Sequence, residues 1–315
     1  MQRLLDRLLT ETTFDLVQVE DNSMASYSYR MRTPTVLTEH EVRLPSPTER
    51  SGLWKASLVQ RVLNKAEQRR WRGYQPTVWR RFDRIQVFTP HDAAAIQTIA
   101  PDLASRVRVN PFGVEPLLEA DPSREESDTV VFVGGFYHQP NVEAALWLGK
   151  EIMPLLRTLR PGVRLIIVGS YPTKAVQALA SDDTVVTGRV PAVEPFLERA
   201  AVVLVPVRTG GGMRLKVLQA MAMGKAVVTT PIGAEGLAAA GCQPPLAVNK
   251  TAEEIARATA ALLAADDTRR ALGRRARAYV TEHYSWSAYG RRLEAIYAEL
   301  QPIGSVKCRH GIVVD

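Results

Sequence analysis

The stretch from Thr209 to Leu237 reads TGGGMRLKVLQAMAMGKAVVTTPIGAEGL and decides what fold is expected of the chain. It opens with three consecutive glycines, which let a backbone approach a ligand closely and leave amide groups pointing outward. Good helix formers without Pro or Gly follow from Met213 to Met223, and Gly224 stands where a helix is expected to stop. The pattern predicts a glycine loop that leads into a helix N-terminus, a ready site for anionic oxygens.

The predicted helix has one face that carries polar groups. Residues spaced by four, three and four positions share that face, namely Gly212, Lys216, Gln219 and Met223. Arg214 falls on the opposite side of a helix that is regular from Gly212, and joins the polar face only if the first turn is irregular. The alternative interpretation is a buried helix with one solvated lysine.

This segment resembles the donor-site motif of family 4 (group 1) glycosyltransferases of the GT-B type, especially a branch that reads GxGxRxKxLEAMAxGxPVVxTxxGxEGL. The likeness covers nearly thirty residues. The wider family has two glutamates eight positions apart, where this chain has Gly211 and Gln219. A glutamine can still hydrogen-bond to ribose hydroxyls, but without the charge that strengthens such a contact.

Length and composition favour a globular protein of two domains. The chain has 315 residues, of which 46% are hydrophobic, enough for buried cores. Cys242 and Cys308 are too few for a disulfide scaffold or a metal knuckle, so a reducing compartment fits best. No run of about 18 apolar residues occurs, and the N-terminus carries acids where a signal peptide is apolar. A cytoplasmic protein is therefore expected.

The positive charge is concentrated in one segment. The net charge is +7, and residues 54–84 hold nine Lys or Arg against two acidic residues. This segment is predicted to be a long helix that breaks near Gly73 and Pro76. Tryptophans among the cations suit a peripheral contact with an anionic inner membrane face, or an acidic lipid-linked acceptor. A solvated face is the alternative interpretation, and binding of nucleic acid is not expected.

The N-terminal part alternates strand and helix patterns, which favours a parallel sheet with helices packed on it. The predicted elements are helices over 1–10 and 22–30 and strands over 14–19, 35–39, 85–89 and 106–110. His40 follows the second strand, at the edge of the sheet where ligands bind in such folds. A lone histidine is more often structural, but the resemblance implies that His40 contacts the donor sugar.

From residue 129 the pattern becomes regular. Strands separated by helices are predicted over 129–133, 163–168, 183–187, 201–205, 226–230 and 246–248. Their near-continuous Val, Ile and Leu content indicates a doubly wound sheet that is covered on both faces. A nicotinamide-binding domain is disfavoured, because the chain lacks G-x-G-x-x-G and has Gly169 and Ser170 where that domain has an acidic residue.

The resemblance also implies a domain organisation. Residues 110–115 resemble the family's "PNGVD" hinge. The implied segments are a partial N-terminal acceptor domain (1–113), a C-terminal donor domain (114–285), a crossover helix (286–301) and a flexible tail (302–315). The family's N-terminal domain has additional strand and helix units, so the resemblance implies an α/β protein of GT-B type with two Rossmann-like parallel-sheet domains, the N-terminal one truncated.

Two loops of the predicted donor domain resemble loops of the family. The turn from Gly134 to Asn141 is similar to the branch's "FxGxxxxxPN" loop, which faces the donor phosphates. Residues 187–191 are similar to the "GxV" turn, where backbone groups read the nucleotide base. The first of these loops contains no Arg or Lys, so the cationic role falls to Arg214 and Lys216.

The resemblance therefore implies two groups of site residues. Those implied to act in catalysis are His40, Arg214 and Lys216. Those implied to bind the donor are Gly134, Gly135, Asn141, Gly188, Arg189, Val190, Gly210, Gly211, Gly212, Met213 and Gln219. No metal ligand is implied, and no D-x-D pair occurs in the chain.

The implied reaction moves a sugar from a nucleotide-sugar donor to a hydroxyl of a glycan or lipid-linked acceptor with retention, in cell-surface polysaccharide synthesis. Charge that develops on the departing diphosphate needs stabilisation, which cations and loop amides can supply. No cofactor is implied beyond the nucleotide-sugar substrate, and no general base can be assigned. The alternative function, favoured by Gln219 and the short N-terminal domain, is a catalytically impaired nucleotide-sugar-binding module that acts with a partner chain.

Overall fold

A computed structural model describes residues 1–29, 33–40, 42, 58–115, 119–239 and 241–300 of the protein. The predicted tail over 302–315 lies outside these residues. In the helix that begins at Leu58, side chains are described at Ala66 and from Arg69 onward. The described residues form two compact units: residues up to 42, 67–110 and 290–300 make the first, and residues 58–66 and 111–289 make the second.

The first unit is built on a four-stranded parallel sheet in the order β1-β2-β3-β4. Its strands are β1 (Val17–Glu20), β2 (Thr35–Glu39), β3 (Arg84–Val87) and β4 (Val107–Val109). Its helices are α1 (Gln2–Glu11), α2 (Asp21–Met24), most of α3 (Leu58–Trp79) and α4 (Pro90–Ile99), with a 3-10 turn over Pro101–Arg106. Every residue of β2 is buried, which makes this strand the centre of the unit.

The helix predicted over 22–30 is much shorter in the structure, where α2 ends at Met24. The chain leaves the helix because tertiary contacts outweigh its weak local preference. The hydroxyl of Tyr29 donates a hydrogen bond to the carbonyl of Met24 over 3.0 Å. The ring of Tyr29 also packs against Phe82, with ring centroids 6.1 Å apart.

The break predicted near Gly73 and Pro76 is also wrong, because α3 continues through both residues. The hydroxyl of Thr77 donates to the carbonyl of Gly73 over 3.1 Å, close to the place where Pro76 removes a backbone donor. Beyond the proline, Trp79 is fully buried in the core. Packing of the last turn therefore holds the helix together across the missing hydrogen bond.

The second unit is built on a six-stranded parallel sheet in the order β10-β9-β8-β5-β6-β7. Its strands are β5 (Thr129–Val133), β6 (Arg164–Val168), β7 (Thr184–Val186), β8 (Val202–Val205), β9 (Ala226–Thr229) and β10 (Ala247–Val248). Its helices are α5 (Gln139–Trp147), α6 (Met153–Leu159), α7 (Lys174–Gln177), α8 (Glu194–Arg199), α9 (Leu215–Ala222), α10 (Pro231–Ala234), α11 (Ala252–Ala264) and α12 (Asp266–His283). A last helix, α13 (Trp286–Ala298), follows.

The strand order reverses between β5 and β8, and this reversal marks where a ligand site is expected. The chain proceeds from β5 outward through β6 and β7, then returns to the other side of β5 and proceeds through β8, β9 and β10. The fully buried β8 and β9 confirm the expectation of a sheet covered on both faces. In such sheets ligands bind beyond the carboxyl ends of the strands, at the point where the order reverses.

No helix among the described residues is long and apolar enough to span a membrane.

Candidate active site

The loop after β8 forms the glycine-rich side of the site. Gly210 and Gly212 have φ angles of 102° and 72°, in the left-handed region that glycine tolerates best. A Cβ atom placed on Gly212 would meet nothing within 4 Å, so this part of the loop faces open space. Within the described chain, the amide groups of Gly210, Gly211, Gly212 and Met213 donate no hydrogen bond. Such outward amides favour an anion.

Arg214 holds the glycine loop in this conformation. Its backbone, with φ −85° and ψ 64°, is not helical, so the first turn is irregular and α9 begins only at Leu215. Its Nη1 and Nη2 donate to the carbonyls of Gly211 and Gly210, each over 2.7 Å. Its Nε donates to the carbonyl of Ile232 over 3.1 Å. These contacts give Arg214 a positioning role toward the loop in addition to its positive charge.

Lys216 lies on the first turn of α9 with its ammonium turned toward the loop after β5. The Nζ atom donates to Oδ1 of Asn141 over 2.5 Å and lies 5.1 Å from the centroid of the Phe132 ring. Burial, followed by the positive charge of Arg214, lowers the pKa of Lys216 to about 8. Among the described residues no carboxylate forms an ion pair with Lys216. An anionic ligand would therefore stabilise this cation.

The turn after β5 is fixed from the opposite side. Nδ2 of Asn141 donates to the carbonyl of Gly135 over 2.7 Å, so the amide of Asn141 joins this turn to Lys216. A Cβ on Gly134 would lie 3.1 Å from Nζ of Lys216. The absence of a side chain at Gly134 therefore makes room for the ammonium.

The turns after β6 and β7 lie at the same carboxyl edge of the sheet and contact each other. A Cβ on Gly169 would lie 1.9 Å from the carbonyl oxygen of Gly134, so only glycine fits there. The amide of Gly169 donates to the carbonyl of Gly188 over 3.3 Å. Gly188, with φ 70°, faces open space. The side chain of Arg189 is exposed, and Val190 packs partly buried on the core.

Two other predicted donor-binding residues differ in what they offer. The side chain of Met213 is half-buried against the hydrophobic core, so its backbone amide is the group that it could offer to a ligand. Gln219 is half-buried one turn after Lys216 on α9, on the same side of the helix. The sequence-based placement of Lys216 and Gln219 on one face agrees with the structure.

His40 is the one predicted site residue that lies in the first unit; the others lie between residues 134 and 219 of the second. It follows β2, and its Nε2 lies 3.0 Å from Oε2 of Glu20. Its ring packs against Phe88, with centroids 5.2 Å apart. The hydrogen bond with the Glu20 carboxylate raises the pKa of His40, against the effect of burial. His40 is therefore charged over a wider pH range than an isolated histidine.

One residue near the glycine loop was not anticipated from the sequence. Oε2 of Glu143, on α5, accepts a hydrogen bond from the hydroxyl of Thr209 over 3.1 Å. Its other oxygen accepts from Nε2 of Gln139 over 3.4 Å. Glu143 thus fixes the start of the glycine loop against α5. The signal was a carboxylate in the second turn of the helix that follows the Gly134–Asn141 turn.

Lys225 belongs to the same motif as Lys216 but serves the core. Its Nζ lies 3.2 Å from Glu125, whose other oxygen lies 2.6 Å from Nη2 of Arg269. The side chains of Lys225 and Arg269 are only 4% and 3% exposed. A buried carboxylate shared by two buried cations is a structural arrangement, which separates Lys225 from the candidate site.

Comparison with known proteins bears on this geometry. The model of the family described as "Glycosyl transferases group 1" matches residues 127–265. The chain is 26% identical over 177 residues to the uncharacterized glycosyltransferase MJ1069 of Methanocaldococcus jannaschii, an alignment that covers 54% of this chain and 44% of that protein. The chain therefore spans less than half the length of this curated relative.

Solved structures agree in fold. The structure of HepE from Anabaena in complex with UDP and glucose has a TM-score of 0.70 at 15% identity, and the match covers 94% of this chain and 82% of that one. A sucrose-phosphate synthase from Thermosynechococcus elongatus has a TM-score of 0.69 at 17% identity, with coverages of 95% and 76%. At identities this low, the structural similarity shows a common fold only.

Proposed function

We propose that the protein transfers a sugar from a nucleotide-sugar donor to an acceptor hydroxyl, because residues 127–265 match the model of the group 1 glycosyltransferases and the fold is that of GT-B enzymes. The observation that carries this proposal is the position of Lys216. Its ammonium is partly desolvated, is held by the neutral amide of Asn141, and lies on the helix that the glycine loop opens. This arrangement suits a ligand that brings its own negative charge.

In the proposed complex the donor diphosphate lies between the amides of Gly210–Met213 and the ammonium of Lys216. As the bond between the sugar and the diphosphate breaks, negative charge grows on the departing phosphate oxygen. Fixed amide dipoles and a preformed cation stabilise that charge without reorganisation. Arg214 maintains the loop geometry and adds positive charge, while Gln219 is proposed to hold the ribose and residues 188–190 the base. His40 is proposed to face the sugar.

The finer features of the reaction are also proposals. Retention at the anomeric carbon and a glycan or lipid-linked acceptor in polysaccharide synthesis follow from the resemblance of the motif to the family 4 branch. HepE, which shares the fold, was solved in complex with UDP and glucose, so UDP-glucose is the first donor to test here. Proton NMR of the product of UDP-glucose transfer gives the anomeric configuration directly, and a β-linked product would contradict retention.

The first experiment measures thermal unfolding of the full chain with UDP, GDP, ADP or CMP. A nucleotide at about 100 times its dissociation constant adds about 2.7 kcal/mol of stability. We expect a shift with one nucleotide in the wild type, its loss in Lys216→Ala, and its retention in Lys250→Ala, which removes an exposed lysine of the same unit. Cooperative unfolding without a shift by any nucleotide would overturn the proposal.

Gln219 favours a second function, that of a donor-binding module without turnover. The family's carboxylate at this position would make charge-assisted hydrogen bonds to ribose, about twice as strong as neutral ones. If the wild type binds UDP but transfers no glucose to any acceptor, and Gln219→Glu gains transfer, then the glutamine is the cause. Transfer by the wild type would rule out this second function.

A peripheral contact with the cytoplasmic face of a membrane is proposed for residues 54–84. In the described part of this segment Arg69, Arg70 and Arg72 are exposed, whereas Arg80 forms an ion pair with Asp102 at 2.9 Å. Cosedimentation with vesicles tests the contact. Binding to vesicles that contain anionic lipid, lost in moderate salt and in a triple Arg→Ala variant of the three exposed arginines, is expected. Equal binding to zwitterionic vesicles would contradict it.

A further inference from the structure

Three consecutive residues at the entrance of the glycine loop contact one face of α5. The residues that they meet on the helix are spaced by three and four positions, which places them on the same side. In the order of the loop, the pairs are Arg208 with Trp147, Thr209 with Glu143 and Gly210 with Pro140. The entrance of the loop therefore lies along the helix, in the opposite chain direction.

The first pair joins a cation to an aromatic ring. Cζ of Arg208 lies 4.3 Å from the centroid of the Trp147 ring, well within the distance of about 6 Å at which the face of an indole attracts a guanidinium. The indole is 5% exposed, and its Nε1 donates to Oε2 of Glu151 over 3.1 Å, which fixes the orientation of the ring. Arg208 itself is exposed, and within the described chain no carboxylate forms an ion pair with it. The indole is thus the partner that holds this arginine.

The next two pairs bring the loop backbone close to the helix. The hydroxyl of Thr209 donates to Oε2 of Glu143 over 3.1 Å. A Cβ atom on Gly210 would lie 3.1 Å from Cγ of Pro140, a distance that is tight for a side chain. Glycine at position 210 therefore lets the loop approach the first turn of α5.

The same helix also holds the cation of the candidate site. Asn141, which follows Pro140 on α5, accepts the hydrogen bond from Nζ of Lys216 over 2.5 Å. The loop amides and the ammonium are therefore both positioned by α5. Dipoles and cations stabilise developing charge most effectively when their relative positions are fixed in advance.

The glycine loop needs such support at its entrance. Gly210, Gly211 and Gly212 follow one another, and glycine has the greatest backbone freedom of any residue. At the far end of the loop, Arg214 donates to the carbonyls of Gly210 and Gly211 over 2.7 Å each. At the entrance, the three pairs with α5 restrict the backbone in the same way.

We propose that Trp147 and Arg208 are positioning residues of the donor site, and the inference rests on the function proposed above. The guanidinium stacked on the indole holds the entrance of the glycine loop against α5. It thereby sets the distance between the loop amides and the ammonium of Lys216. The two side chains act through the loop and not by contact with the diphosphate, which distinguishes Arg208 from Lys216.

Calorimetric titration of the full chain with UDP, and separately with inorganic pyrophosphate, tests the inference. Arg208→Gln and Trp147→Leu each remove the stacked pair, and each should weaken the binding of both ligands about fivefold, because the loop is proposed to contact the diphosphate. Arg208→Lys and Trp147→Phe keep a cation beside an aromatic ring and should recover most of the affinity. Arg274→Ala, at an exposed arginine of α12 in the same unit, is the matched control and should bind like the wild type.

The double variant separates positioning from a direct effect of charge. If the pair acts as a unit, Arg208→Gln combined with Trp147→Leu should lose no more affinity than either single variant. If Arg208 attracted the diphosphate by its charge, Trp147→Leu would bind like the wild type while Arg208→Gln would not, and the proposal would be overturned.

Ionic strength decides the same question with an exposed residue, should Trp147→Leu not fold after the loss of its buried ring. The affinity lost in Arg208→Gln should be the same at about 0.1 M and about 1 M salt, because the stacked pair acts on the loop at contact distance. A loss that disappears at about 1 M salt would show attraction between charges and would overturn the proposal.

The outcomes also separate this inference from the function on which it rests. A wild type that binds neither UDP nor pyrophosphate refutes the proposed transferase, and the positioning role with it. A wild type that binds UDP, with equal affinity in Arg208→Gln, overturns the positioning role alone.

Discussion

The ammonium of Lys216 donates a hydrogen bond to Oδ1 of Asn141 over 2.5 Å, and so joins two loops that are 75 residues apart in the chain. The other end of the same amide donates to the carbonyl of Gly135. Asn141 therefore sets the distance between the turn after β5 and the start of α9. It also solvates a cation that burial would otherwise deprotonate more readily, without adding the negative charge that would compete with a phosphate.

The affinity for a nucleoside diphosphate should depend on the protonation of Lys216. Because the pKa of this lysine is lowered to about 8, its charge is nearly complete at pH 7 and about nine tenths lost at pH 9. The diphosphate itself is almost fully ionised across this range, since its last pKa is near 6. We expect the affinity for UDP to fall about tenfold between pH 7 and 9, as calorimetry at each pH would show.

An arginine at this position separates the lysine from other causes of that pH dependence. Lys216→Arg keeps its charge at pH 9, so its affinity for UDP should be flat over the same range even if it is lower throughout. A decline in Lys216→Arg as steep as in the wild type would show that another group titrates.

Replacement of Arg214 by lysine should weaken nucleotide binding although the charge is retained. Lysine cannot reproduce the three hydrogen bonds to the carbonyls of Gly210, Gly211 and Ile232, because they require the planar fork of a guanidinium. We expect a loss of UDP affinity of about tenfold or more in Arg214→Lys. Binding equal to that of the wild type would show that charge alone is needed and that the loop holds its shape unaided.

Two glycines at the site should respond differently to alanine. A Cβ on Gly169 would lie 1.9 Å from the carbonyl oxygen of Gly134, so Gly169→Ala should cost about 2–3 kcal/mol of the free energy of unfolding. Gly212→Ala meets no atom within 4 Å, and its φ of 72° should cost only about 1 kcal/mol. Denaturant unfolding of both variants gives the comparison, and equal losses would contradict it.

Among molecules that remain folded, Gly212→Ala should lose more affinity for UDP than Gly169→Ala, the reverse of their order in lost stability. Gly212 belongs to the loop whose amides face open space, and a methyl group there would stand beside the proposed diphosphate. The affinity of folded Gly212→Ala for UDP should therefore fall although its stability changes little. Unchanged affinity would place the diphosphate elsewhere.

Glu299 should stabilise the first unit in a pH-dependent manner. Its carboxylate accepts two hydrogen bonds from Arg108, over 2.7 and 2.8 Å, and one from Arg84 over 2.8 Å. The two hydrogen bonds from Arg108, together with the one from Arg84, outweigh burial and lower the pKa of Glu299 to about 2. A lowered carboxyl pKa stabilises the fold above pH 4.5, and this contribution is lost as the pH falls toward 2.

Glu299→Gln should accordingly destabilise the protein by about 1 kcal/mol at pH 7, since the network is partly exposed. The difference from the wild type should shrink as the pH is lowered from 5 to 3. Glu294→Gln, a change at an exposed glutamate of α13, the helix that ends one residue before Glu299, is the control and should have no effect. A constant difference across this pH range would show that the loss does not come from the carboxylate charge.

The elements that were predictable from the sequence are those with a strong local signal. Runs of Val, Ile and Leu in β5, β6, β8 and β9 fix the strands, because burial on both faces leaves little choice of residue. Lys216 and Gln219 were placed on one face of α9 by helical spacing alone. The expected fold class of parallel-sheet α/β units follows from this alternation and is confirmed.

What the sequence could not provide depends on contacts between distant segments. The position of Arg214 was left open, because its direction depends on the carbonyl of Ile232 as well as on the loop. The continuity of α3 across Pro76 depends on the burial of Trp79. Likewise, Lys225 could be told from a ligand-binding lysine only once Glu125 was seen beside it. None of these contacts produces a periodic pattern in the sequence.

The larger sheet ends in its two shortest strands. β7 has three residues and β10 has two, while the strands between them have four or five. A neighbouring molecule that approached either margin would find only a few unpaired backbone groups to add to, although Val185 and Val248 are about half exposed there. Short edges are a common protection against edge-to-edge aggregation. The two short edge strands thus limit the backbone that a second copy could pair with, although the interior of the sheet between them is very apolar.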